Sequence, residues 1–250
     1  MLQKFGLYEF LANLIPGLAL ISALSWLAQF FGHKPVLPIT GTVSEPLALT
    51  AWSYIVGLLL QGVAEGVVEK TVLATTKGYP SWRWMVEGGE GFTPEHRAKL
   101  KDAIRDYFGE AAEPEIPRDA SERQVLDLRR RRYQELFYFC LNLVEQKKLS
   151  DRPLSFNTHY SVFRGLLTFS LALLPVFGWA FISNQTEIAQ RNAVGLFQLI
   201  LSLLLVAAIV SYFRMVKRGE DFAKSIYDLF FSFYRQEAGA KKRMQGELLR

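Results

Sequence analysis

The stretch AVGLFQLILSLLLVAAIVSYF, residues 193–213, decides what kind of chain this is. It carries no charged residue from end to end, and its most apolar run is Leu199 to Val210. As a helix rising about 1.5 Å per residue it is about as long as a bilayer's hydrocarbon core is thick. A soluble domain would break such a run into short periodic stretches with a polar face. The segment therefore reads as a membrane span.

Working outward, three more blocks have the same character. Residues 10–31 are too long for the apolar region of a signal peptide, have only Lys4 before them and lack a small-x-small cleavage site. Pro16-Gly17 lies inside that block and is expected to kink it, which membrane helices tolerate. A loop over residues 32–50 follows, then a block at 51–68 that is less apolar because it contains Gln61 and Glu65. Residues 165–182 form the third span, and a polar turn at 183–192 leads into the fourth. Mean hydropathy is only +0.11 because these blocks alternate with heavily charged segments. Nineteen Phe and five Trp suit rings placed in lipid or at its surface. The expected fold is an all-α membrane protein with four transmembrane helices, a helical cytoplasmic insertion between spans two and three, and a C-terminal cytoplasmic amphipathic helix.

The domains follow from the blocks: a hairpin at 1–69, a helical domain at 70–161, a second hairpin at 162–213, and an amphipathic helix and tail at 214–250. In the polar middle, Gly88-Gly89-Glu90-Gly91 reads as flexible. Thr93-Pro94-Glu95 supplies a cap, a first-turn proline and an acid for a helix that Gly109 ends. Pro114 and Pro117 mark a linker. Ser121 opens a long helix reaching about Lys148, with Glu122 near its start and Lys147-Lys148 near its end. After span four, Phe222, Ile226, Leu229, Phe230 and Phe233 recur along one helical face to about Gln236, and residues 237–250 are expected to fray. No internal repeat is visible.

Charge sets the orientation. Of 29 Lys and Arg, only Lys34 and Arg191 fall between spans one and two or between spans three and four. The basic residues beside the spans, Lys70, Lys77, Lys147, Lys148, Arg152, Arg164, Arg214, Lys217 and Arg218, all lie on the opposite side. By the positive-inside rule that side is the cytoplasm, and both termini are there. The net charge of +5 thus reflects membrane orientation. Its favoured partner is a bilayer with anionic headgroups, and nucleic acid is disfavoured.

Gln61, Glu65 and Glu69 follow at i, i+4 and i+8, so they share one helix face. A carboxylate inside a bilayer is expensive and usually faces the bundle interior or water. Glu65 should sit about 6 Å deeper than Glu69. Glu9 and Asn13 on span one, Arg164 at the start of span three and Arg214 at the end of span four should reach the same level. Together they make a polar ring at the inner mouth, serving either as an ion path or coupling switch, or as ion pairs that lock helix order. Gly62 and Gly66 form a GxxxG pair that permits close helix approach.

Trp82-Arg83-Trp84 reads as an interfacial anchor, with core packing as the alternative. Arg129-Arg130-Arg131-Arg132 is a candidate phosphate or lipid site, or else a solvated face paired with Asp127 and Glu135. The apolar run from Leu136 to Val144 is too short to span and should pack on the Phe222–Phe233 stripe. His159 is a lone histidine near span three, more simply a hydrogen-bonding partner than a pH sensor. Cys140, the single cysteine, is expected to be buried and inert, and it excludes an intrachain disulfide. The three histidines are far apart, and no zinc spacing, Walker loop, GxGxxG, HExxH or GxSxG occurs. Nothing calls for a cofactor, metal or catalytic residue.

The opening Phe10-Leu11-Ala12-Asn13-Leu14-Ile15-Pro16-Gly17 resembles the first span of small, uncharacterised four-span bacterial inner-membrane proteins. The segment from Asn157 to Leu166, with His159-Tyr160 and Arg164 entering a span, is similar in style. The two motifs cover about a tenth of the chain. Some proteins of this layout occur in antiphage defence loci, as membrane sensors or membrane-disrupting effectors beside a soluble partner. The resemblance implies that setting and assigns no residue a role.

Three functions are therefore weighed. One is a non-enzymatic homo-oligomeric effector whose cytoplasmic helices alter the packing or conductance of the spans. The second is an anchor for a soluble cytoplasmic protein partner. The third, a lipid-modifying or transport protein, would need more spans or inverted repeats, and only Glu65 fits it.

Overall fold

Helix is the only way an apolar segment can satisfy its own backbone without water, and the computed structural model of the chain is all-helical, with no strand among the described residues. It describes residues 2–34, 44–75, 80–85, 91–109, 113–149 and 151–248. In order, the helices are α1 (Leu2–Phe30), α2 (Ser44–Val63), a π-helical turn (Ala64–Glu69), α3 (Lys70–Thr75), α4 (Pro80–Arg83), α5 (Pro94–Phe108), α6 (Glu122–Gln146), α7 (Asp151–Ser183), α8 (Gln185–Gln190) and α9 (Val194–Leu248). Four stretches are long and apolar enough to cross a membrane: Phe10–Phe30, Pro46–Val72, Arg152–Ser183 and Val194–Ala240.

The count of spans agrees with the sequence, but the helices run further. The expected loop at 32–50 gives way to helix at Ser44, and span two continues through the π turn into α3 because Val63 and Lys70 both keep right-handed helical geometry. α9 does not fray at 237 but stays helical to Leu248. Pro16 and Pro175 both lie within continuous helix. Of the glycine-rich run at 88–91, only Gly91 lies among the described residues.

The chain divides into two compact units. The first comprises residues 1–74 and 157–218. In it α1 and α2 meet at glycines: a methyl on Gly57 would lie 1.9 Å from the Asn13 carbonyl oxygen, and one on Gly17 would lie 1.8 Å from that of Ser53. Backbones this close require the missing side chain. Leu27, Leu173, Phe177, Ile188 and Phe197 form one apolar cluster, to which Trp26 and Phe30 add rings. Val68, Val72, Leu167, Ala208 and Met215 form another. Outward, α9 exposes Leu199, Leu203, Val206 and Val210, each about half accessible. An apolar stripe of that length is a liability in water and ordinary in lipid.

The second unit comprises residues 75–156 and 219–250. Thr93 caps α5 by accepting from His96 N–H, Pro94 occupies the first turn, and Gly109 closes the helix at φ +68°. Ser121 opens α6 with a reciprocal box: its hydroxyl accepts from Gln124 N–H, and the Gln124 side chain accepts from Ser121 N–H. These elements surround an aromatic core. Leu136, Cys140 and Val144 of α6 pack with Ile226, Tyr227 and Phe230 of α9, as the two apolar patterns predict. Each such fully buried side chain contributes about 1.5–3 kcal/mol over leaving it exposed.

Candidate functional site

The polar row of span two converges on one guanidinium. Arg164, on α7, is 9% exposed. Its Nε donates to Gln61 Oε1 at 3.0 Å, its Nη1 to Glu69 Oε2 at 2.6 Å and its Nη2 to Glu65 Oε1 at 2.9 Å. The Tyr160 ring centroid lies 5.7 Å from the guanidinium carbon. Gln61 uses its amide hydrogens in the other direction, donating to the Ser161 carbonyl at 2.9 Å and the Ala12 carbonyl at 3.4 Å. One glutamine thus ties α1, α2 and α7 together.

The π turn explains how three residues at i, i+4 and i+8 meet one point. In an α-helix each four-residue step drifts by about 40°. The wider π turn, hydrogen-bonded i to i+5, advances less per residue and takes that drift back. Gln61 and Glu69 accordingly end up buried, at 8% and 7%, on either side of Arg164. Glu65 lies at the edge, its side chain 64% exposed although it accepts from the same guanidinium. Gly165 makes room beside the cluster: a methyl there would lie 2.8 Å from Pro16 Cγ and 2.9 Å from Gln61 Nε2.

The other members expected of the polar ring divide. Asn13 is buried, with its carbonyl against Gly57. The side chain of Glu9 lies outside the described ones. Arg214 is exposed, and the partners of Arg164 are Gln61, Glu65 and Glu69. Among the described side chains, the cluster on Arg164 is therefore Gln61, Glu65 and Glu69. Among the described residues, Gly62 and Gly66 pack no helices together; both are exposed, and a methyl on either would meet nothing within 4 Å. Gly17 and Gly57 do that work. They escaped the sequence reading because residues forty apart show no spacing motif.

Two expectations in the second unit are corrected. Trp82 and Trp84 are not an interfacial anchor: at 8% and 4% exposure they belong to the aromatic core. Rings lodged there pack on protein, which is the alternative the sequence offered. Arg83 between them donates to Glu220 Oε1 at 2.9 Å. The four arginines of α6 do not converge on one point. Arg129 lies 3.8 Å from Glu113, Arg130 stacks over the Trp82 ring, Arg132 pairs with Glu135 at 3.3 Å, and Arg131 borders a surface groove of about 500 Å³ with Asp119 and Asp127. Successive helix positions point about 100° apart, which disperses them.

Elsewhere in this unit, Glu113 accepts from Tyr133 Oη at 2.7 Å and pairs with Lys101. Partial burial pushes its carboxyl up, but the hydrogen bonds from Lys101 and Tyr133 and the charges of Lys101 and Arg129 outweigh this and hold it below the ordinary value. Cys140 is buried, and desolvation pushes its thiol far up, which leaves it unreactive. His159 is exposed on α7. Among the described residues, no cluster of three or more His, Cys, Asp or Glu could hold a metal.

Compared with protein-family models, with curated proteins and with solved structures, the chain matches none.

Proposed function

We propose that this protein is an oligomeric, multi-pass sensor and effector of the bacterial inner membrane, with both termini and the second unit in the cytoplasm. The second unit receives a cytoplasmic input, from a ligand or soluble partner, and α7 and α9 relay it to the spans. The output is a change in the packing, and through it the permeability, of the bundle. The observation that supports this most is the Arg164 cluster. A guanidinium shared by two carboxylates has two ways to pair with one of them, and the π turn beside it is a local departure from regular helix of the kind that accompanies function. Such a cluster can shift between pairings with little movement. Four spans leave little room for a pore in one protomer, so conduction would use several copies. The placement in antiphage defence rests only on the resemblance of Phe10–Gly17 and Asn157–Leu166.

Flux from liposomes containing the purified protein, with and without a co-purifying cytoplasmic partner, tests the reading. Flux should depend on the partner and change in Glu65→Gln and Glu69→Gln variants. Absence of flux in every state, with native-like assembly, overturns the channel version. A second reading, a membrane anchor for a soluble protein, is favoured by Leu126, Tyr138 and Phe139, which α6 exposes. Under it Glu65→Gln leaves activity intact, while charge reversal at Arg129, Arg130, Arg131 and Arg132 abolishes partner recovery.

A further inference from the structure

Glu65 is a charge on the outer surface of a span. Its side chain is 64% exposed, whereas its neighbours in the polar row, Gln61 and Glu69, are buried. The surface around it is apolar: Val63 and Val67 are 53% and 62% exposed. It is also flat, since a methyl on Gly62 or Gly66 would touch nothing. An ionised carboxylate facing lipid is costly unless polar groups cover it, and Arg164 reaches one oxygen of Glu65, Oε1. The first unit carries a complementary charge one to two turns further along. Val68 and Val72, one and two turns beyond Glu65, pack with Leu167 of α7 and with Met215 of α9. Arg214 immediately precedes Met215 and is exposed, beside Phe213 at 65%.

An outward acid on α2 and an outward base on α9 thus stand within about two turns of each other along the first unit, and Lys70 and Lys217 add exposed positive charge further along the same helices. If α2 met its own copy across a two-fold axis, acid would lie near acid. Head-to-tail packing instead places acid against base and repeats around a ring. We propose that the Gly62–Val67 face of α2 in one copy docks on the Arg214 face of α9 in a second copy, where Arg214 neutralises Glu65. This inference rests on the oligomeric reading above and specifies its interface. It also links assembly to the buried cluster: a Glu65 carboxylate drawn to a neighbour's Arg214 leaves Arg164 to Gln61 and Glu69.

The test uses full-length protein in mild detergent. Gly66→Cys and Phe213→Cys are made separately, so that Glu65, Arg214 and the Arg164 cluster stay intact. Both positions are exposed, and the buried Cys140 thiol adds no background. After oxidation, an equimolar mixture of the two variants should give a disulfide-linked dimer that neither gives alone. Adding Glu65→Gln to the Gly66→Cys copies should lower the yield several-fold. Cross-linking of Gly66→Cys with itself overturns the head-to-tail arrangement. No cross-link in the mixture also overturns it, the result expected if Arg214 reaches lipid headgroups instead. Native mass spectrometry then separates the two claims. Oligomers without the cross-link reject only this interface, whereas monomers reject the oligomeric reading with it.

Discussion

Arg164 Nη1 lies 2.6 Å from Glu69 Oε2, joining the third span to the second through a pair in which both side chains are about nine-tenths buried. Removing one partner of such a pair leaves an uncompensated charge, at a cost of about 3–5 kcal/mol. Arg164→Ala should therefore be the most damaging single change in the cluster, followed by Glu69→Gln. Glu65→Gln should cost least, because that side chain is mostly exposed and the change removes a charge that lipid disfavours. Arg164→Lys should not rescue, since one ammonium cannot reproduce a fork that serves three acceptors. Thermal unfolding in detergent reads the order. A Lys variant as stable as the parent would show that the three-acceptor fork is not needed to join the two spans.

The two sets of glycines should separate in the same assay. Gly57→Ala places a methyl 1.9 Å from a backbone oxygen that cannot swing away. Overpacking of this kind costs about 1–3 kcal/mol or more. Gly62→Ala adds a methyl to a surface that is open within the chain, so in monomeric protein it should be neutral or stabilising by up to about 1 kcal/mol through helix propensity. Equal loss of melting temperature in both variants would mean that the α1–α2 contact is not where the structure places it.

How much of this the sequence shows depends on the range of the interaction. The four spans, the Thr93 and Ser121 caps, the Gly109 stop and the match between the α6 and α9 apolar stripes are legible because each rests on local spacing. The i, i+4, i+8 row was legible too, and Arg164 was one of the four other residues expected at its level, with Glu9, Asn13 and Arg214. The π turn was not, because nothing in Ala64–Glu69 distinguishes it from α-helix, and the arginine that Glu65 and Glu69 share lies about a hundred positions away. Trp82 and Trp84 misled for a related reason. An indole shortly after a span reads the same whether it faces headgroups or a core, and only the fold of α5, α6 and α9 decides.

Gly91 tests that core from its edge. It sits at φ +116°, where a side chain is strained, and a methyl there would lie 2.5 Å from the Trp84 ring. Arg97, itself buried, fixes the same corner by donating to the Trp84 carbonyl at 2.8 Å and the Phe92 carbonyl at 3.2 Å. Backbone strain of about 1–3 kcal/mol plus displacement of the indole should make Gly91→Ala clearly destabilising. Tryptophan emission should shift to the red as Trp84 gains water. Unchanged emission and stability would show that this corner is not closed as described.

Glu113 gives the second unit a pH dependence whose sign can be worked out. Its carboxyl titrates below the ordinary value of 4.5 because Lys101 and Tyr133 hydrogen-bond to it and Lys101 and Arg129 lie near, which together outweigh partial burial. A carboxylate whose folded pKa is depressed adds stability that is fully present above its unfolded pKa. That contribution is lost as pH falls through the folded pKa. The side chain is about half exposed, so the contribution is about 0.5–1 kcal/mol, and salt should shrink it. The stability difference between the parent and Glu113→Gln should therefore be constant near neutral pH and close progressively below the ordinary carboxylate value. Guanidinium is itself a salt and would mask the pair, so urea unfolding followed by fluorescence is the suitable measurement. A difference that widened on acidification would reverse the sign, and would mean that burial rather than Lys101 governs this carboxyl.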